Sequence, residues 1–166
     1  GVIAANLNSS NGNETNGLVP AFSTSTGGPA QSQNGLAFNY QYDSCRTPFR
    51  IGLDACWAHD NRAVDYVSKT SSFFVPKGAA GIVDGYELNG TEKPQYPDSH
   101  GGLSAAFIGP AAVGAMSSST NQAFIDEAWG LLKQNQMWCG GQYYDESWTM
   151  LSMLMLTGNF LDYTTL

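Results

Sequence analysis

The chain has 166 residues, 42% of them hydrophobic and 12% aromatic, which is enough for one domain with its own core and excludes a disordered chain. Charged residues are only 13%, with 14 acidic against 7 basic side chains and a net charge of −7. That field repels phosphate, so nucleic acid and anionic membrane surfaces are not expected partners, whereas neutral ligands remain open.

Residues 1–41 carry a single charge, Glu14, and five Asn before residue 17. Residues 1–16 read as a flexible leader or an ordered loop laid over a larger body. An ordered loop is expected from Gly17 onward, where "GLVPAF" has apolar residues worth burying. Thr47-Pro48 then opens a helix near 47–58, with Pro at the first helical position, where its missing N–H costs nothing. Asp60 caps a second helix to residue 74, with Val64, Val67, Ser71 and Phe74 on its inner face and Arg62, Asp65 and Lys69 away from it. Pro76-Lys77-Gly78 stops it, and residues 78–101 read as loop. The segment 104–116 is apolar on every side. Ser119 and Gln122 match a capping box for an amphipathic helix near 120–137, bearing Phe124, Ala128, Leu131 and Leu132. Asp145 is expected to cap a last apolar helix, which Gly158 ends.

The alternation carries the architectural reading. Helices near 47–58, 104–116 and 146–157 lack a polar face, while those near 60–74 and 120–137 have one. A helix apolar all round has to be buried all round. The expectation is therefore an all-α fold, a partial (α/α)6 barrel or toroid of alternating inner and outer helices with long loops. Five helices make roughly half of such a ring, so a missing part of similar size is expected, in keeping with a chain that does not begin with Met.

No apolar run reaches the length of about 18 residues that marks a membrane-spanning helix. A surface of neutral hydroxyls and amides fits a secreted protein. Three Cys (Cys45, Cys56 and Cys139) match no zinc spacing, and His59 and His100 stand far apart, so neither metal nor cofactor is expected. Cys45 and Cys56, at opposite ends of one helix, are too far apart to bond. A Cys45–Cys139 bridge with Cys56 buried and reduced is the alternative. His100 reads as a solvated loop residue, and Trp57, Trp129, Trp138 and Trp148 read as core.

One segment concentrates charge: Asp43, Arg46, Arg50 and Asp54 in "YDSCRTPFRIGLD", in a chain with only three Arg. Two readings stand beside each other. One is an ion-pair ladder locking the helix; the other is a carboxylate held by Arg at the mouth of a cleft, close to Tyr40 and Tyr42.

The segment resembles the Tyr-Asp-x-x-Arg-x-Pro-x-Arg-Ile signature of glycoside hydrolase family 8. Tyr42, Asp43, Arg46, Pro48, Arg50 and Ile51 match it position for position. Supporting likeness extends to "GLVPAF", "FIGPAAVGAM" and "YYDESWTMLSMLMLTGNF", covering residues 17–161. The resemblance implies that residues 1–166 are the C-terminal half of an (α/α)6 catalytic domain that hydrolyses β-1,4-linked glucan with inversion. It implies Asp43 as the catalytic base, Arg46 as the group that orients it, and Tyr42 as a cleft residue; Tyr143 and Tyr144 are further substrate-binding candidates. The expected partners are a β-glucan polysaccharide and either a missing N-terminal half or further copies of the chain. The family's acid, a Glu in a Ser-Glu-Gly-x-Gly-Tyr stretch, has no match here. Glu14, Glu92 and Glu127 read as solvated, and only Glu87 and Glu146 are candidate substitutes. The rival readings are a carbohydrate-binding protein without catalysis and a self-associating structural subunit.

Overall fold

In the computed structural model, which describes residues 1–31, 38–98, 102–134 and 143–162, the chain is all-helical, with six α-helices among the described residues. They are α1 (Val2–Asn6), α2 (Thr47–Trp57), α3 (Asn61–Phe74), α4 (Ala105–Ala115), α5 (Gln122–Gln134) and α6 (Tyr143–Leu156). None is long and apolar enough to cross a membrane.

The organising helix is α4. Its sequence, AAFIGPAAVGA, offers no polar face, and all eleven residues are buried. It packs directly against α2, α3, α5 and α6. Small residues make that crowding feasible. A Cβ on Gly52 of α2 would come within 3.1 Å of Val113 Cγ1, and one on Gly109 would collide with Ser152 Oγ of α6 and lie 2.8 Å from its Cβ. Around this axis the core gathers Leu18, Tyr40, Phe49, Phe74, Phe107, Ile108, Leu132 and Trp148.

Helix ends follow local chemistry in part. Pro48 stands in the first turn of α2, and the Asp60 carboxylate accepts the Arg62 N–H at 2.8 Å to cap α3. Gly158 takes φ +72° and Asn159 N–H reaches back to Leu154 O at 2.8 Å, which closes α6.

Four expectations are corrected. The Ser119–Gln122 capping box does not form. A short 3-10 turn, Ser119–Asn121, precedes α5, so the cap moves back to Ser118, and the Gln122 amide donates to Asp126 instead. Asp145 does not precede α6 but lies in its first turn, because the helix already begins at Tyr143. On α3 the inner face is Ala63, Tyr66, Val67, Thr70, Ser71 and Phe74, which rotates Val64 out to 37% exposure. Of the helices expected to be buried all round, α4 alone is. The other two leave an open side, with Trp57 stacked on Phe160 yet 40% exposed, and Met150 and Leu154 facing outward on α6.

The Asn-rich start is ordered. Asn13 Nδ2 donates to Asn6 Oδ1 and to Leu18 O, both at 2.7 Å, and Asn6 Nδ2 donates to Gly27 O at 2.6 Å. Asn6 and Asn13 are fully buried. Asn16 extends the network by donating to Leu88 O at 2.9 Å. Each amide satisfies backbone groups that an irregular segment leaves unpaired, which is how residues without regular structure are buried. The segment lies along α3, where Lys69 Nζ and Ser72 Oγ donate to Glu14 O and Thr15 O.

Apart from a 3-10 turn at Ala79–Gly81, residues 78–98 are loop, as their breakers predict, but firmly tied down. Tyr86 pairs antiparallel with Tyr40 on one side and with Glu92 on the other. Glu127, expected to be solvated, accepts the N–H groups of Ala79 and Ala80 at 2.8 and 3.2 Å and so holds the loop to α5.

Candidate active site

The tight turn 41–46 leads into α2 and is pinned from below. Tyr40 exchanges two 2.9 Å hydrogen bonds with Tyr86, and Ser44 Oγ accepts the Gln41 N–H at 2.7 Å. Cys45 is buried and points its Sγ at Tyr42 O, 3.1 Å away. With Gln41, Ser44 and Cys45 turned inward, Asp43 is left on the outside of the turn.

Arg46, one helical turn along, folds back over Asp43. Its Nη2 lies 2.6 Å from Asp43 Oδ1 and its Nε donates to Asp43 O at 3.1 Å. This two-point grip fixes the carboxylate relative to its own backbone. Among the described residues the second oxygen, Oδ2, receives only a long 3.4 Å contact from Gln41 Nε2 and remains the open acceptor. Arg50 and Asp54 are exposed and do not pair with one another, so the ladder reading reduces to the single Asp43–Arg46 pair.

Tyr42 lies half-buried in an aromatic cage. Its ring meets Phe107 of α4 at 5.1 Å and 89°, Tyr144 of α6 at 5.8 Å, and Tyr96 of the long loop at 5.9 Å. Tyr144 OH donates to Tyr42 O at 2.8 Å, so it holds the turn from behind. Tyr42 OH donates to Asp84 at 3.1 Å. Burial pushes the Tyr42 hydroxyl well above the ordinary phenol range, and it stays a proton-bearing donor throughout the working pH range. The structure thus brings Asp43, Arg46, Tyr42 and Tyr144 together. Tyr143 is 80% exposed at the start of α6.

Asp84 and Tyr96 are the residues the sequence did not point to. Asp84, 1% exposed, accepts the backbone N–H groups of Gln95 and Tyr96 at 2.8 and 3.1 Å besides the Tyr42 hydroxyl. Burial raises its carboxyl above the ordinary range, opposed by those donors. Neither belongs to a motif; the one local sign was an acid within the Gly-rich stretch "VDGYELNG".

The remaining candidates lie elsewhere. Glu87 pairs with Lys93 at 3.6 Å, and Glu146 lines a shallow apolar groove with Trp129, Met150, Met153 and Leu154. Cys45 and Cys56 are free thiols, and Cys56 is half-buried; Cys139, the expected partner of Cys45, lies outside the described residues, as do His100 and Trp138. Among the described residues no three His, Cys, Asp or Glu cluster as metal ligands would.

No family model matches the chain. It is 33% identical over 156 residues to a β-glucanase of Niallia circulans, covering 89% of this chain and 36% of that protein. It is 34% identical over 151 residues to Endoglucanase A of Acetivibrio thermocellus, covering 89% of this chain and 29% of that protein. The chain thus spans about a third of the length of these relatives. Among solved structures, the apo β-1,3-1,4-glucanase from Paenibacillus sp. X4 superposes with a TM-score of 0.77 at 32% identity, over 91% of this chain and 40% of that one. Rex8A from Paenibacillus barcinonensis, solved with xylose, shares the fold with a TM-score of 0.74 at 19% identity, over 98% of this chain and 41% of that one.

Proposed function

The chain is glycoside hydrolase family 8-like, homologous to a part of these β-glucanases and endoglucanases and folded as part of their (α/α)6 barrel, and from that premise we propose that it supplies the base of an inverting β-glucan hydrolase. Inversion needs a carboxylate on the sugar face opposite the leaving group, with a water between them, and a carboxylic acid about 6.5–9.5 Å away. Asp43 is the carboxylate. As the water oxygen bonds to the anomeric carbon, its proton passes to Asp43 Oδ2, while the acid protonates the departing glycosidic oxygen. The observation that carries this assignment is the unequal use of the two oxygens: Arg46 holds Oδ1 at 2.6 Å and leaves Oδ2 free to accept.

None of the chain's five Glu stands in the family's acid context, so the acid comes from protein outside these 166 residues. On this reading the polysaccharide lies along the 40–46 turn. Residues 1–166 act as the C-terminal half of the catalytic domain, and the whole protein is secreted to meet an extracellular polymer.

The test is Asp43→Asn in the hydrolase that contains this chain. The amide keeps the shape but takes no proton, so kcat falls about 100–10,000-fold while oligosaccharide affinity is retained. Retention of more than a tenth of kcat removes Asp43 from the role. The 166-residue chain by itself is expected to release no reducing sugar from β-glucan or carboxymethyl cellulose. A folded monomer with robust turnover would return Glu87 and Glu146 to candidacy.

A further inference from the structure

Tyr96 is 55% exposed, yet it is held at both ends. Its backbone N–H donates to Asp84 Oδ2 at 3.1 Å, and the preceding N–H, of Gln95, donates to Asp84 Oδ1 at 2.8 Å. Its ring leans edge-on against Tyr42, at 5.9 Å and 64°. Asp84 Oδ2 also accepts the Tyr42 hydroxyl at 3.1 Å. One buried carboxylate therefore ties two segments that are distant in sequence: the turn bearing Asp43 and the loop bearing Tyr96. A buried carboxylate is costly unless every lone pair finds a donor, and here three donors converge on it. Gly102, at φ +79°, closes the loop around the same group: a Cβ there would reach within 3.4 Å of Asp84 Oδ1 and 3.1 Å of Pro94 Cβ. The loop is built around the carboxylate, and the residue it presents to solvent is an aromatic ring.

We propose that Tyr96 is a sugar-stacking residue, its ring fixed beside the Asp43 turn as a platform for one pyranose of the bound glucan. A pyranose offers an apolar C–H face that covers a ring of this size. Its hydroxyls stay at the rim in water, so the match needs no charge and suits a neutral polymer. Tyrosine has few rotatable bonds, and here the backbone is already held, so little freedom is left to lose on binding. The exposed ring, one aromatic contact away from the residue next to Asp43, lies where sugars flanking the scissile bond would pass.

This rests on the reading of the 40–46 turn as part of the sugar cleft, and the experiment separates the two. Cellohexaose affinity is measured by titration calorimetry on the barrel-forming hydrolase that contains this chain, in the Asp43→Asn background, and kinetics are measured with Asp43 intact. Tyr96→Ala is expected to weaken cellohexaose binding and raise KM about three- to tenfold, with kcat held within about twofold. Tyr96→Trp and Tyr96→Phe restore both. Unchanged affinity in Tyr96→Ala overturns the proposal. So does a parallel fall in kcat and affinity that Tyr96→Phe does not rescue, since that marks a structural role. If Asp43→Asn remains active while Tyr96→Ala still loses affinity, the base assignment fails and the platform stands.

Discussion

Three aspartates show how burial and partners give one residue type different duties. Asp60, capping α3, has its carboxyl held down to about 2 by hydrogen bonds from the Arg62 side chain and backbone. The folded state therefore prefers it ionised. Its contribution is fully present above the ordinary carboxyl value near 4 and is lost as pH falls through about 2. Hydrogen exchange in the first turn of α3 should report that loss in the wild type, and Asp60→Ala should show a frayed first turn at every pH. Asp84 has the opposite sign. Its carboxyl is raised by burial, so the folded state holds the proton more tightly than the unfolded chain does. Stability should fall as pH climbs from about 4 through the raised value and then level off. Denaturant midpoints across that range, with Asp84→Asn flattening the slope, check the sign. Asp145 is structural: fully enclosed in α6, it accepts Ser104 Oγ at 2.6 Å and Ala106 N at 3.0 Å, and so caps α4. The carboxylate also meets the positive end of the α4 dipole. Asp145→Ala should lower unfolding free energy by about 2–4 kcal/mol, read from urea melts. From sequence, Asp145 looked like the cap of its own helix. Its true partner is 41 positions away, and no local rule reaches that far.

At the scale of elements, stability depends on how closely α4 approaches its neighbours. Gly109 faces Ser152 of α6, whose buried hydroxyl has no hydrogen-bond partner among the described residues. Gly109→Ala should cost about 1–3 kcal/mol through overpacking, and Ser152→Gly should recover part of that in a double-mutant cycle. Helix existence was legible because it is written locally: Pro48 and Asp60 mark two starts, Gly158 marks an end, and the polar faces of α3 and α5 separate them from the apolar α4. Where the start depends on an extra 3-10 turn, as before α5, the same rules missed by one residue. At the Asn-rich start composition left two readings, a leader or an ordered loop. The structure uses those amides as backbone partners in a buried network, and composition does not encode pairing. The site was half legible. Its motif gave Asp43, Arg46 and Tyr42; Asp84 and Tyr96 join it through the Tyr42 hydroxyl and ring, which are tertiary contacts.

At the largest scale, the helices match part of a closed barrel, and Trp57 of α2, Met150 and Leu154 of α6, and Leu161 are left exposed as apolar surface. Each 100 Å² of such surface withdrawn from water returns about 2.5 kcal/mol, so covering it is favoured. The isolated chain is expected to self-associate at micromolar concentration or to bind a hydrophobic dye. Light scattering and dye fluorescence test this, with Met150→Glu plus Leu154→Lys reducing both signals. A monomer that binds no dye would show that these side chains need no cover. The ring arrangement was readable from alternating helix faces, but the exposed side of α6 was not, because α6 reads almost as apolar as α4.

The asparagine network also gives the protein a chemical memory. Asn followed by Gly is the pair most open to deamidation, in which the glycine nitrogen attacks the side-chain amide carbon and ammonia leaves. Asn16 precedes Gly17, but its amide is clamped at both ends, accepting from Leu18 N at 2.9 Å while donating to Leu88 O. Asn89, before Gly90, is exposed and far less restrained. In the folded protein, Asn89 should therefore age before Asn16. Each excursion to the unfolded state exposes Asn16, and an acid in its place offers Leu88 O no N–H. Peptide mapping of heat-cycled and resting samples would read Asn16 conversion as a count of past unfolding events.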